Sequence, residues 1–263
     1  MSVARAQMVR PPRAALLFLA GLIVAALLAP VFVPYAVDTL DLAQRRAAPS
    51  LAHWFGTDEL GRDVLTRVLF GARVSLAIGL LSAALSVALG VAIGATAGYA
   101  GRWADDGLMR VTDTLLAVPR LPLLMIAAAI LQPGVAMLVV LVASVGWMET
   151  ARVVRAEVQG IAARDFVLAA RSLGTRPRQI VWRHVLPGVV PVISVATTLA
   201  VGRGILVESA LSFFGVGVQP PTPSWGNMLY QAQTTMTSEP WLALFPGVFI
   251  FLTVLACNAV ASK

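Results

Sequence analysis

The chain has little of what most enzymes use. It holds one cysteine and two histidines in 263 residues. The cysteine, Cys257, lies in the last apolar run, so no internal disulfide framework can form. The histidines are His53 and His184, and no H-E-x-x-H occurs, which argues against a zinc membrane protease. There is no G-x-x-x-x-G-K-[ST], so this chain cannot cradle nucleotide phosphates by a P-loop. There is no G-x-S-x-G nucleophile elbow either. No catalytic constellation and no metal-ligand spacing is left. Charge is scarce, at 13% of residues.

Apolar sequence dominates instead. The chain is 58% hydrophobic, with a mean hydropathy of +0.82, far above a soluble domain. Several runs are long enough to span a bilayer. These features predict an all-α, polytopic membrane protein with six transmembrane helices. The expected spans are Ala14–Val33, Val74–Tyr99, Leu108–Leu131, one beginning at Ala136–Met148, Val189–Phe214 and Trp241–Val260. The first is longer than a signal-peptide core and lacks a cleavage site, so it reads as an uncleaved helix. Gly90, Gly94 and Gly98 give the second span a Gly-x-x-x-Gly-x-x-x-Gly face for close helix packing, with Gly79 earlier in the same span. Pro119-Arg120 predicts a break in the third, and Asp113 near its start reads as a snorkelling acid. Arg203 and Glu208 lie inside the fifth span. Five residues apart, they sit on different helix faces, so each is expected to meet another helix or a polar cavity.

The net charge of +7 is almost all arginine. In a soluble chain it would suggest nucleic acid. Here the arginines sit in a few loops, and seven fall between Arg152 and Pro191. That stretch predicts a helix–glycine–helix elbow. Phe166, Ala169, Ala170 and Leu173 share one helix face. Gly174 supplies a left-handed turn. Thr175 caps the second helix, Pro177 suits its first turn, and Ile180, Val181, His184 and Val185 form its stripe. His184 reads as a packing or interface residue. A loop that only fixes topology needs charge; a small-residue face beside a bulky one predicts a docking elbow for a partner protein.

Residues 1–13 form a short basic tail, and Pro34–Arg73 is nearly neutral. Within the latter, Asp58, Glu59, Arg62 and Asp63 read as a solvated ion-pair cluster. Trp225–Pro240 reads as an outer loop without Lys or Arg. Positive charge on the elbow side puts both termini and the elbow in the cytoplasm and segment 34–73 outside.

Three strings resemble one family. DFVLAARSLGTRPRQIVWRHVLP is similar to the EAA loop of importer-type ABC transporter permeases, matching at Ala169, Ala170, Gly174, Leu186 and Pro187, with Leu168 where the family has Glu. GTDELGRDVLTRVLFGARVSL and ESALSFFGVGVQPPTPSWG resemble signatures of the dipeptide, oligopeptide and nickel permeases, the C-type subunit. RVTDTLLAVPRLPLLMI resembles that family's third helix. The resemblance implies a type I ABC importer permease fold over residues 14–263, with a coupling loop at 152–188. It also implies a tail after the sixth helix, where this sequence stops at Ser262-Lys263. The ATPase-coupling residues it implies are Asp165, Phe166, Ala169, Ala170, Gly174, Leu186 and Pro187.

The implied setting is a bacterial cytoplasmic membrane. The implied partners are a related permease, two cytoplasmic ATPase subunits that carry ATP-Mg, and an extracytoplasmic substrate-binding protein. No cofactor is bound by this chain itself. The cargo is short peptides, or alternatively nickel or another metal complex. Short peptides are the stronger expectation, because the spans offer only Cys257, Glu208 and Asp113 as ligands. A secondary transporter would need internal repeats, and none is visible. A membrane scaffold fits composition but leaves the permease signatures unexplained.

Overall fold

The computed structural model describes residues 13–262, so the tail arginines Arg5 and Arg10 lie outside the described residues. Ten α-helices appear among these residues: α1 (Arg13–Phe32), α2 (Val64–Tyr99), α3 (Arg102–Ala117), α4 (Arg120–Ile130), α5 (Val135–Ala162), α6 (Asp165–Ser172), α7 (Pro177–Ile180), α8 (Leu186–Phe213), α9 (Trp225–Ala232) and α10 (Trp241–Ala261). The all-α expectation holds. Five helical stretches are long and apolar enough to cross a membrane, and the count is six if the bent pair α3 and α4 is one span.

The second span starts ten residues earlier than expected, at Val64 rather than Val74. Asp63 fixes that start: its carboxylate accepts from the Thr66 amide and hydroxyl, both at 2.8 Å. The resulting helix has 36 residues, about 54 Å of rise against a hydrocarbon core of about 30 Å. Part of α2 therefore stands outside the bilayer. Its glycine face meets α5. A Cβ on Gly94 would come 2.5 Å from the Ala151 carbonyl oxygen, and one on Gly90 2.6 Å from Thr150 Cβ.

The third span is two helices meeting at 84°. Val118 precedes Pro119, and the proline ring excludes helical geometry there, so Val118 is extended. Neither half crosses a bilayer alone: 11 residues of α4 rise about 16 Å. The fourth span does not give way to a loop after Met148. α5 continues through Arg152 and Arg155 to Ala162, so the first turns of the expected elbow extend a membrane helix.

Two segments expected to be loose are packed. Trp225–Ala232 of the outer loop is a helix, begun by a reciprocal Ser224–Asn227 capping box. Trp225 is fully buried and donates Nε1–H to the Val68 carbonyl at 3.0 Å. The acidic cluster before α2 is not solvated. Asp58 Oδ1 accepts from the Leu60 and Arg62 amides, and its Oδ2 takes Arg62 Nε at 2.6 Å and Arg67 Nε at 3.5 Å. Asp63 Oδ1 meets His53 Nδ1 at 2.9 Å. Asp58, Arg62, Asp63, Arg67 and His53 are all buried, whereas Glu59 forms no ion pair among the described residues. Tertiary packing of α9 and α10 over the segment removes the water that sequence alone would have left there.

The core has successive clusters. One joins Val64, Val68, Ile205, Trp225 and Ile250. A second joins Ile78, Leu124, Leu138, Met148 and Leu211. A third joins Val154, Val158 and Ile161 of α5 to Val167, Ile180, Val185 and Val189. Outward surfaces are also apolar, with Leu17, Val31, Leu81, Ile126 and Phe251 exposed. Such outward faces suit lipid rather than water.

Candidate docking elbow and intramembrane polar cluster

The elbow is held from below and open above. Val167 and Ile180 have no exposed surface and pack against Val158 and Ile161 at the end of α5. Phe166 is 47% exposed, Leu168 46% and Leu173 86%. Ala169 is exposed and Ala170 half-buried. Of the stripe read from the sequence, Phe166, Ala169 and Leu173 face outward while Ala170 packs partly on the core, and Val167, which sequence reasoning missed, is the anchor. Its i, i+3 spacing with Ala170 could have revealed it, but Ala170 also belongs by spacing to the other stripe.

Gly174 has φ +76° and closes α6. The Thr175 amide reaches the Ala170 carbonyl at 3.1 Å and the Gly174 amide reaches Arg171 at 3.0 Å, the two bonds of a Schellman motif. Thr175 thus ends the first helix instead of capping the second. The N-cap is Arg176, with Pro177 in the first turn as expected. His184 is exposed, its ring 6.3 Å from that of Phe166. Leu186 packs on the third core cluster, and Pro187 is exposed. Proline has no amide hydrogen and crowds the carbonyl four residues back. The five residues before Leu186 accordingly widen into a π turn, Val181–Val185, with the Leu186 amide bonded to Val181. The elbow is thus one mechanical piece with α8.

Side-chain ties fix its surroundings. Asp105 of α3 pairs with Arg155, with Nη2 to Oδ2 at 2.6 Å, and accepts from Gln159 at 3.0 Å. The Arg171 guanidinium lies 4.7 Å from the Tyr99 ring centroid.

Further along α8, Arg203 and Glu208 go separate ways, as their spacing requires. Arg203 pairs with Glu149 of α5, and Arg120 at the start of α4 forms an ion pair with the same carboxylate at 2.8 Å. Asp113 is exposed and faces Arg152 at 3.8 Å. Glu208 is fully buried and accepts from Ser212 at 2.8 Å, Ser75 at 3.0 Å and Ser209 at 3.4 Å. Ser75 in turn accepts the Trp225 amide at 3.2 Å. One carboxylate thereby ties α2, α8 and α9 together. Among the described residues no His/Cys/Asp/Glu group could hold a metal ion.

Residues 90–262 match the family of binding-protein-dependent transport system inner membrane components. The chain belongs to that family. A putative peptide permease protein of Brucella suis is 41% identical over 247 residues, 93% of this chain and 82% of the relative. A glutathione transport system permease protein of Pectobacterium atrosepticum is 41% identical over 246 residues, 93% of this chain and 82% of the relative. One of Escherichia coli is 42% identical over 245 residues, 93% and 81%.

As an inner membrane component of this family, the chain is a multi-pass transport permease part and not an enzyme, with the type I ABC permease fold. It works in a system with other components. Of the coupling residues implied by sequence resemblance, Asp165, Phe166, Ala169, Ala170 and Gly174 lie on one short arm. Leu186 and Pro187 lie beyond the π turn, at the start of α8. Glu149 and Arg120 were not singled out as sites. Their only sequence signal was charge beside long apolar runs.

Proposed function

We propose that this chain is one of two membrane-spanning halves of an ATP-driven importer of short peptides. The observation that carries the reading is the elbow: Phe166, Leu168 and Leu173 are exposed around a short helix that Val167 anchors in the core, and Ile180 anchors the helix that follows. An apolar face held rigidly outward suits a partner cleft. Two cytoplasmic ATPase subunits, binding ATP-Mg, dock there, and the pull of their closure passes through the π turn into α8 as a rigid-body movement. A related permease forms the other half, and an extracytoplasmic binding protein delivers cargo. The membrane is the bacterial cytoplasmic one, with both termini and the elbow inside. Peptide cargo is supported over nickel by the peptide and glutathione permeases among the relatives.

A growth assay tests the cargo. A deletion strain auxotrophic for an amino acid is expected to fail on that amino acid given as a dipeptide, and to recover when the gene is returned. Normal dipeptide use with lost nickel-enzyme activity refutes the peptide assignment.

A further inference from the structure

We propose that Arg203, with Arg120 and Glu149, forms a binding station for the side-chain carboxylate of anionic short peptides; this rests on the peptide-permease reading above. Arg203 borders two cavities. One, of about 660 Å³, is walled by Val192, Val195 and Leu199 and includes Glu149 and Arg152. The other, of about 230 Å³, includes Ser82, Ser86 and Arg120. The larger falls within the range of small-molecule sites, roughly 300–1,000 Å³. The side chains of Arg203, Glu149 and Arg120 are 41%, 38% and 32% exposed, so they are open to these spaces and not sealed in the core.

The charges do not balance. Arg120 and Arg203 share Glu149, while Arg152 takes Asp113, which leaves one positive charge in excess at this locus. A carboxylate offers about four acceptor positions, whereas two guanidiniums carry about ten N–H donors. A surplus guanidinium among apolar helices is costly, and a second carboxylate, held by the planar fork, offsets that cost. Glu149 limits the attraction by neutralising part of it. A transport path needs such a compromise, since a ligand held too strongly does not leave. The apolar walls take the uncharged remainder of the peptide. An ion pair with a companion subunit would need no cavity, so the space beside the surplus charge favours cargo.

The test uses the complete transporter in a strain lacking other peptide uptake, with labelled alanyl-glutamate and alanyl-glutamine as matched anionic and neutral probes. The binding protein is unchanged throughout, so the anionic-to-neutral uptake ratio relative to wild type reports on this chain. Arg203→Gln and Arg120→Gln are each expected to lower that ratio about tenfold, the loss expected for one charge-assisted hydrogen bond. Arg203→Lys keeps the charge but not the fork, so its ratio falls between those of wild type and Arg203→Gln. Arg203→Gln combined with Glu149→Gln restores the one-charge excess and recovers the ratio; the double variant also carries the test if the single one fails to reach the membrane. Equal loss for both probes, or an unchanged ratio, overturns the proposal and points to a structural or companion-subunit contact. If the wild type carries neither probe, the peptide reading itself fails.

Discussion

Replacing Gly174 by valine isolates the geometry of the elbow. The residue has φ +76°, and a Cβ added there meets nothing within 4 Å. Steric clash is therefore absent, and the whole cost is conformational. An L-residue in this region loses about 1–2 kcal/mol, and a β-branched one sits at the upper end or beyond. That shifts the population of the closed Schellman turn by a factor of roughly 5–30. Two hydrogen bonds then loosen, Thr175 to Ala170 and Gly174 to Arg171. The exposed face of α6 loses its fixed angle to α7, while Val167 and Ile180 remain able to pack. The expected result is normal membrane insertion with reduced coupling. Substrate-stimulated ATPase activity of the reconstituted complex measures it. Stimulation should fall in the order glycine, asparagine, alanine, valine, because asparagine tolerates the left-handed region. Wild-type stimulation in Gly174→Val, at equal assembly, refutes the claim that this turn carries coupling.

Gly94→Leu should prevent α2 from packing on α5, since its Cβ would lie 2.5 Å from the Ala151 carbonyl oxygen; a cost of more than about 3 kcal/mol is expected, and a thermal unfolding temperature in detergent equal to wild type contradicts the close approach. Asp58→Asn leaves Arg62 and Arg67 buried without their shared carboxylate, a loss of about 3–5 kcal/mol that should appear as poor accumulation in the membrane, whereas a surface cluster would change by less than about 1 kcal/mol. Topology follows from single cysteines at two exposed positions, Leu51→Cys and Leu173→Cys, in a Cys257→Ser background. An impermeant thiol reagent applied to intact cells should label the first and spare the second, and the reverse pattern inverts the orientation.

Sequence alone determined the class, because long apolar runs in a charge-poor chain have one physical outcome: helices that satisfy their own backbone within lipid. It also determined local turns that depend on single residues. Gly174 supplies the left-handed close, Pro119 the break of the third span, and the Gly90–Gly94–Gly98 stripe the close packing. Charge spacing separated Arg203 from Glu208, since five residues of helix place them on different faces. Tertiary structure decided what touches what. Sequence reading left Asp58, Arg62 and Asp63 in water; packing from elements about 170 residues away buried them. It treated Trp225 as part of a loop, yet the pocket formed by α2, α8 and α10 makes it core. Thr175 looked like a helix cap, but closing the preceding helix used its amide one residue early. Glu149 carried only a charge beside an apolar run. Its meeting with Arg203 and Arg120 depends on three helices converging, and no local pattern encodes where distant helices cross.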